Sequence, residues 1–358
     1  MTNNTRLPVF LLTGFLGSGK TTLLNQLVKQ PELARTLIII NEFGTVSLDH
    51  LLVSHASDDT IIELASGCLC CTIRGDLAKT LRDIHWRFSR QGERSFDLVI
   101  IETTGLAEPA PIMHTLMTDI TLASKYRLQG VITTLDTLHA AATLDRHPES
   151  QKQVAVADLL LLTKTDLQAE PTPELAQLTA RLKQLNPAAQ IRTIQQGNLE
   201  PQALLRLDHI EPQQSTIPLR QWLNSAAFAL TSLSDTVPGQ LASLSAPSTT
   251  LSQNDPNRHN DHIKAHCFTL PQAITPGRLE GWLNILMQLM GSNMLRVKGI
   301  VNVVGHSGPV VIHGVQHIFH PAAFLTAWPD ADRQTRLVFI TYDIERETLA
   351  RTIETFLL

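Results

Sequence analysis

Short apolar runs recur through the first half of the chain, separated by polar and glycine-containing turns: Val9-Phe10-Leu11-Leu12, Leu37-Ile38-Ile39-Ile40, and the segments 60–64, 97–102, 130–135 and 158–162. Most are apolar throughout instead of alternating, which predicts strands buried on both faces. Between them the spacing becomes helical. Leu23-Leu24-Asn25-Gln26-Leu27-Val28 reads as a helix, and over 76–88 Leu77, Leu81, Ile84 and Phe88 recur on one face. Such strands alternating with amphipathic helices predict an α/β fold with a mainly parallel sheet covered on both sides and ligands at the carboxyl ends of its strands. Glu42, Glu102 and Lys164 fall just past those ends, with Asn41-Glu42-Phe43-Gly44 read as a loop.

Beyond about residue 208 the pattern changes. Segments 211–215 and 241–260 are rich in Pro, Ser, Gln, Asn and Asp, with one helix expected around 219–230, so 209–262 reads as a polar linker region. From 263 to 358 a second unit is expected, with strands at 267–270, 295–304, 310–319 and 337–342 and helices at 276–290 and 344–356. That order suggests a small α+β domain with a mainly antiparallel sheet.

The loop between the first strand and the first helix carries the clearest chemistry. Gly14 to Thr22, GFLGSGKTT, fits G-x-x-x-x-G-K-[ST] in the strand-to-helix setting that the motif requires. Gly14, Gly17, Ser18 and Gly19 let backbone N–H groups form an anion nest, the helix adds its positive N-terminal end, and Lys20 reaches the outer phosphates. Thr21 offers a hydroxyl to magnesium, and Thr22 completes the nucleotide-binding stretch. A Gly-rich turn that binds nothing is the competing reading. Thr163-Lys164-Thr165-Asp166 is close to N-K-x-D, in which the aspartate takes the two ring nitrogens of guanine and the lysine stem lies along the base. A buried carboxylate accepting two N–H bonds selects guanine over adenine, because the wrong base leaves it unpaired. Thr163 stands where Asn is usual, which puts one contact in question; a plain strand-end turn is the alternative. Residues 1–208 are therefore expected to be a P-loop GTPase domain.

Glu102 ends the strand expected beside the phosphate-loop strand, and Gly105 follows three residues later. An acid there holds magnesium, directly or through water, and the Gly105 N–H can sense the terminal phosphate; a helix-capping acid is the alternative. Glu42 and Asp49 lie where a first switch belongs, and either could order water or magnesium.

Three of the four cysteines crowd into Gly67-Cys68-Leu69-Cys70-Cys71-Thr72, far too tight for a disulfide framework and suggestive of metal or redox chemistry in a reducing compartment. Cys68 and Cys70 share a face in an extended segment, Cys68 and Cys71 in a helical turn, so one loop presents two or three thiolates but not four. A closed structural zinc site needs four ligands, so an open site that holds a metal briefly is expected; thiolates favour zinc or copper(I). Buried small hydrophobes are the bland reading of the same cluster. Of 14 histidines, His259, His262 and His266 lie near the linker, and His313 and His317 would share a strand face, with His320 beyond. An unpaired histidine has many uses besides metal binding. Arg296-Val297-Lys298-Gly299 reads as a basic turn, contacting phosphate or a partner, or as a solvated strand edge.

Composition narrows the partners. With 17% charged residues, a formal net charge of -4 and no Lys/Arg-rich stripe, a nucleic-acid surface is not expected. The apolar runs are far shorter than the ~18 residues of a membrane span. The first of them runs straight into the phosphate loop, unlike a cleavable signal peptide, so a cytoplasmic protein is expected.

With GFLGSGKTTLLN, NEFG, SGCLCC, ETTGLAEP, LLTKTD, RVKG and GVQHIFHP in this order, the chain resembles the CobW-type GTPases, metal-handling nucleotidases of the SIMIBI class of P-loop proteins. The resemblance spans nearly the full length and is strongest before residue 170. It implies GTP hydrolysis coupled to binding a divalent metal, often zinc, with cobalt as a second candidate, and delivering it to a client metalloprotein through the C-terminal domain. Lys20 and Thr21 would then hold phosphate and magnesium, Lys164 and Asp166 guanine, and Cys68, Cys70 and Cys71 the delivered metal; on the residues themselves, Lys20, Glu42 and Glu102 are the catalytic candidates, with Glu102 beside Thr21 on magnesium. A homodimer is compatible with this reading. Ile40 and Thr45 stand where several members have switch glutamates, and the long His-rich tract of some members is reduced to the thin segment 257–266. The rivals are a GTP-switched regulator or adaptor whose cysteines only sense metal or redox state, and an ATP-dependent small-molecule kinase, which the TKTD element disfavours.

Overall fold

The computed structural model describes residues 6–43, 61–66, 77–84, 89–90, 93–94, 96–167, 173–207, 262–319, 322–328 and 331–358. Seven parallel strands form the first sheet: β1 (Leu7–Gly14), β2 (Thr36–Phe43), β3 (Ile61–Ser66), β6 (Leu98–Thr103), β7 (Tyr126–Asp136), β8 (Leu159–Thr163) and β9 (Gln190–Thr193), in the order β3-β2-β6-β1-β7-β8-β9. A small hairpin of β4 (Ser89–Arg90) and β5 (Glu93–Arg94) lies apart from it. The continuous apolar runs account for the arrangement. Leu7, Val9 and Leu11 point into one core while Phe10 and Leu12 point into another, so β1 is buried from both sides. The second of these cores is closed by Leu23, Leu24 and Leu27 of α1 (Lys20–Leu27). Residues 77–84 are helical, with Leu77, Leu81 and Ile84 buried in the first core as their spacing predicts.

The helices α3 (Ala110–Thr118), α4 (Ile120–Lys125), α5 (Ala140–Arg146), α6 (Pro148–Val156), α7 (Pro173–Leu185) and α8 (Pro201–Leu205) follow, taking 77–84 as α2. The second sheet is antiparallel in its strand pairs: β10 (Ile263–Leu270), β11 (Met294–Val301), β12 (Val310–Val315), β13 (Ile318–Phe319) and β15 (Thr335–Tyr342) run in the order β10-β15-β11-β12-β13, with β14 (Ala323–Phe324) on β12. Its helices α9 (Pro276–Met290) and α10 (Arg346–Phe356) cover one face, around the fully buried Trp282 and Phe339. The other face, through Cys267, Leu295, Ile300, Val311, Val338 and Ile340, continues the core that begins under β1. Helices α6 and α7 of the first unit pack on β11 and β10 of the second.

Three expectations are corrected. Strand β2 runs through Phe43, so Glu42 lies inside a strand, paired in register with Ala65, instead of in a loop beyond it. The run 310–319 is not one strand: Gln316 takes φ 50° and folds it into the β12–β13 hairpin, so His313 and His317 do not share a strand face. Arg296 and Lys298 are neither in a turn nor on a solvated edge. They lie in central strand β11, 1% and 3% exposed.

Candidate nucleotide site

The site grows from the carboxyl end of β1. Gly14, Gly17 and Gly19 take φ of 139°, 70° and 97°, conformations that an L side chain resists, and the chain between them curls around its own N–H groups. At Gly14 a Cβ would stand 2.4 Å from Thr134 Oγ1, so glycine is demanded by space as well as torsion. Helix α1 then starts at Lys20 with no acidic residue in its first turn, leaving its positive end to an anion. Lys20 is buried, and its Nζ donates to the carbonyl oxygens of Gly14 at 2.9 Å and Phe15 at 3.2 Å, which holds the ammonium over the loop.

Beside it, β6 brings a carboxylate. Glu102 pairs in register with Leu12 of β1 and Ile40 of β2, is 7% exposed, and accepts from Thr21 Oγ1 at 3.4 Å. A hydroxyl and a carboxylate facing each other beside the anion nest are hard oxygen donors of the kind that magnesium takes. The turn after β6 lies directly on the phosphate loop: a Cβ at Gly105 would fall 2.5 Å from the backbone N of Leu16.

The far end of the site is built by β7 and β8. Thr163, where Asn is usual, is not idle. Its Oγ1 donates to the carbonyl oxygen of Ser18 at 2.8 Å and to that of Leu135 at 3.1 Å, tying the TKTD turn to the phosphate loop. Ser18 Oγ also shares a 2.7 Å hydrogen bond with Thr134 Oγ1. Lys164 takes φ 60°, and its Nζ donates to Asp136 Oδ2 at 2.8 Å, while Asp166 is exposed. Burial alone would raise the Asp136 carboxyl, but hydrogen bonds from Lys164 and His139 outweigh it and hold the group below the ordinary carboxylate range. The turn after β9 closes over α1, where a Cβ at Gly197, φ 75°, would stand 2.7 Å from the Thr22 carbonyl oxygen.

Residues 8–193, more than half of the chain, match the model of the CobW/HypB/UreG nucleotide-binding domain. The chain belongs to that family. Residues 263–357 match the C-terminal domain of the cobalamin synthesis protein CobW. Among curated relatives of this CobW-type chain, the zinc chaperone YjiA of Escherichia coli is 28% identical over 95% of this chain and 96% of its own. The zinc chaperone CobW of Pseudomonas aeruginosa is 27% identical over 98% and 92%. A zinc-regulated GTPase metalloprotein activator of Schizosaccharomyces pombe is 37% identical over 45% of this chain and 39% of its own. A crystal structure of Zn(II)-bound YjiA GTPase from E. coli superposes with a TM-score of 0.63 at 25% identity, covering 98% of this chain and 99% of that one.

Within this CobW-type fold, Gly14 to Thr22, Glu102, Gly105 and Lys164 with Asp166 are brought to the carboxyl ends of β1, β6 and β8. Cys68, Cys70, Cys71, Asp49, Thr45, His259 and His320 lie outside the described residues, as do the helix expected at 219–230 and the polar tract around it. The fourth cysteine, Cys267, is buried, and burial pushes its thiol up to about 11, so it stays protonated near neutrality. His266 is buried on β10 with Nε2 2.9 Å from the Ile344 carbonyl oxygen; burial holds its imidazole below its ordinary value, and it is spoken for as a donor. No helix among the described residues is long and apolar enough to cross a membrane. Asp136, Thr134 and the second role of Thr163 escaped sequence reasoning. A carboxylate directly ending the 130–135 run was the one available signal.

Proposed function

We propose that this chain is a slow GTPase that acts as a zinc metallochaperone, binding the metal at Cys68, Cys70 and Cys71 and delivering it to a client metalloprotein. The nucleotide half rests most heavily on one observation: Thr163 Oγ1 donates to the Ser18 carbonyl oxygen of the phosphate loop at 2.8 Å, which supports reading the TKTD turn and the phosphate loop as two parts of one site. The metal half is supported by the C-x-C-C sequence and by relatives named as zinc chaperones.

Phosphoryl transfer leaves the protein little covalent chemistry, and catalysis is chiefly positioning and charge stabilisation. In this reading the N–H groups between Gly14 and Thr22 receive the phosphates, and Lys20, now hydrogen-bonded to the loop carbonyls, turns its charge to the outer ones. Thr21 and Glu102 hold magnesium, which when bound neutralises charge that builds on the phosphates. The Gly105 N–H meets the terminal phosphate. Lys164, held by Asp136, lies along the guanine base and Asp166 accepts from its ring nitrogens. Glu42, one register position beyond the Asn41–Thr103 pair, orders water or magnesium. Zinc, or cobalt in its place, is cargo, and hydrolysis releases it to the client.

Zinc and cobalt titrations with and without GTP and magnesium test the coupling. Nucleotide-dependent metal affinity, lost when Cys68, Cys70 and Cys71 are all replaced by Ser, is the expected result. Equal zinc affinity in the serine variant would discard the chaperone reading. Nucleotide binding without metal transfer to any acceptor would leave a GTP-switched adaptor instead.

A further inference from the structure

The turn that follows β6 is gripped from beneath by α6. Gln153 is fully buried, and its Nε2 donates to the carbonyl oxygen of Gly105 at 3.0 Å and to that of Ala107 at 3.1 Å. Both neighbours are carbonyl oxygens, so only the NH2 end of the amide can face them, and its orientation follows from chemistry. The other end, Oε1, is buried and meets no donor among the described residues. A buried acceptor without a partner is costly, so the side chain sits here for its two N–H groups.

Helix α6 holds the same segment and the phosphate loop at further points. Lys152 Nζ donates to Glu108 Oε1 at 2.5 Å. His147, at the N-cap of α6, packs on Phe15 of the phosphate loop with ring centroids 4.4 Å apart. The helix is itself tied to the sheet by Thr133 Oγ1, which donates to the Gln153 carbonyl oxygen at 2.9 Å. Gly105 has no side chain to limit its torsions, and its backbone lies against Leu16 of the phosphate loop. The Gly105 N–H belongs to the preceding peptide, whose Thr104 carbonyl oxygen accepts from the Ala107 N–H at 3.1 Å, so the residue that Gln153 holds in turn holds the Thr104–Gly105 plane. The second bond, to Ala107, stops the turn from rotating about the first.

We infer that Gln153 is a positioning residue for the terminal-phosphate sensor: by holding the Gly105 and Ala107 carbonyls, with the Ala107 N–H bonded to the Thr104 carbonyl, it keeps the Thr104–Gly105 peptide and its N–H in place beside the phosphate loop, and so sets how strongly GTP is preferred over GDP. This deepens the GTPase reading above and rests on it. GDP lacks the phosphate that this N–H meets, so loosening the turn weakens GTP and leaves GDP nearly untouched. A residue that merely supported the fold would affect both nucleotides alike.

The test uses the full chain with magnesium. Affinities for GDP and for a non-hydrolysable GTP analogue are measured by calorimetry for the wild type, for Gln153→Met, which fills similar volume without donors, and for Gln153→Glu, which keeps the shape and, protonated in this buried place, keeps one of the two donors. Losing two neutral hydrogen bonds, as in Gln153→Met, predicts about tenfold weaker analogue binding and a similar fall in GTP turnover, with GDP affinity within about twofold. If neither folds by thermal melt, Gln153→Asn, which keeps the amide on a shorter arm, decides by the same analogue-to-GDP ratio. An unchanged ratio overturns the proposal, whether both affinities fall together or neither moves. A wild-type chain that binds neither nucleotide overturns the GTPase reading itself, and this proposal with it.

Discussion

Replacing Asp158 by Asn should destabilise the protein far more than a single polar change usually does. Asp158 sits just before β8 with its side chain 3% exposed, and Arg296 and Lys298 of β11 converge on its Oδ1, Lys298 at 2.8 Å. Its Oδ2 accepts from the Val131 N–H at 2.9 Å. Burial alone would raise this carboxyl, but the charges of Arg296 and then Lys298 outweigh it and hold the group far below the usual carboxylate range. Removing one member of a buried ion pair typically costs ~3–5 kcal/mol because the remaining charge stays desolvated, and here two cations would lose their shared carboxylate. We expect a loss of about 4 kcal/mol at pH 7, read as a fall in the urea midpoint by circular dichroism. The triple change Asp158→Leu, Arg296→Met, Lys298→Met should recover most of it, since well-packed apolar replacements of buried ion clusters are often neutral. The pH dependence has a fixed sign. A carboxyl whose folded pKa is depressed stabilises above its unfolded value of about 3.9 and loses that contribution as pH falls toward the folded value. The wild type should therefore shed this stability below about pH 4, and Asp158→Asn should lack that limb. A loss under about 1 kcal/mol at pH 7 would refute the assignment of the cluster as a joint between the two units.

Lys20→Ala should abolish GTP binding or turnover while leaving the thermal melt nearly unchanged; wild-type hydrolysis in that variant would remove Lys20 from the site. Thr163→Val keeps shape and loses a hydroxyl that donates to Ser18 and Leu135 carbonyls, so we expect about 1–3 kcal/mol lower stability and weaker guanine-nucleotide binding, measured by urea titration and calorimetry. Full nucleotide affinity in Thr163→Val would mean that the TKTD turn does not need its tie to the phosphate loop.

The parts of the site visible in the sequence are those whose geometry is local. Gly14 to Thr22 carries its own torsions and its own helix start, and the apolar runs announce buried strands without any distant partner. What the sequence hides is made by residues far apart. Arg296 and Lys298 alternate along β11 on one face, as a solvated edge would, and it is the first unit, with Asp158 138 residues from Arg296, that turns that face into an interior. Thr163 looks like a missing Asn because its acceptor, Ser18, belongs to another strand end. Gln153 lies in a helix with buried Ser150, Gln151 and Gln153, where polar residues read as a solvent face until the chain above them is known. The hairpin at Gln316 was invisible because the left-handed position carries no glycine.

The sheet of the second unit has one face roofed by its own helices, while the opposite face, with Cys267, Leu295, Ile300, Val311, Val338 and Ile340, is roofed by the first unit. Each half of the gene product therefore leans on the other for cover. A chain cut between the two would leave a greasy wall open to water and invite clumping, so grafting either half onto a foreign protein would first require repainting that wall with polar side chains.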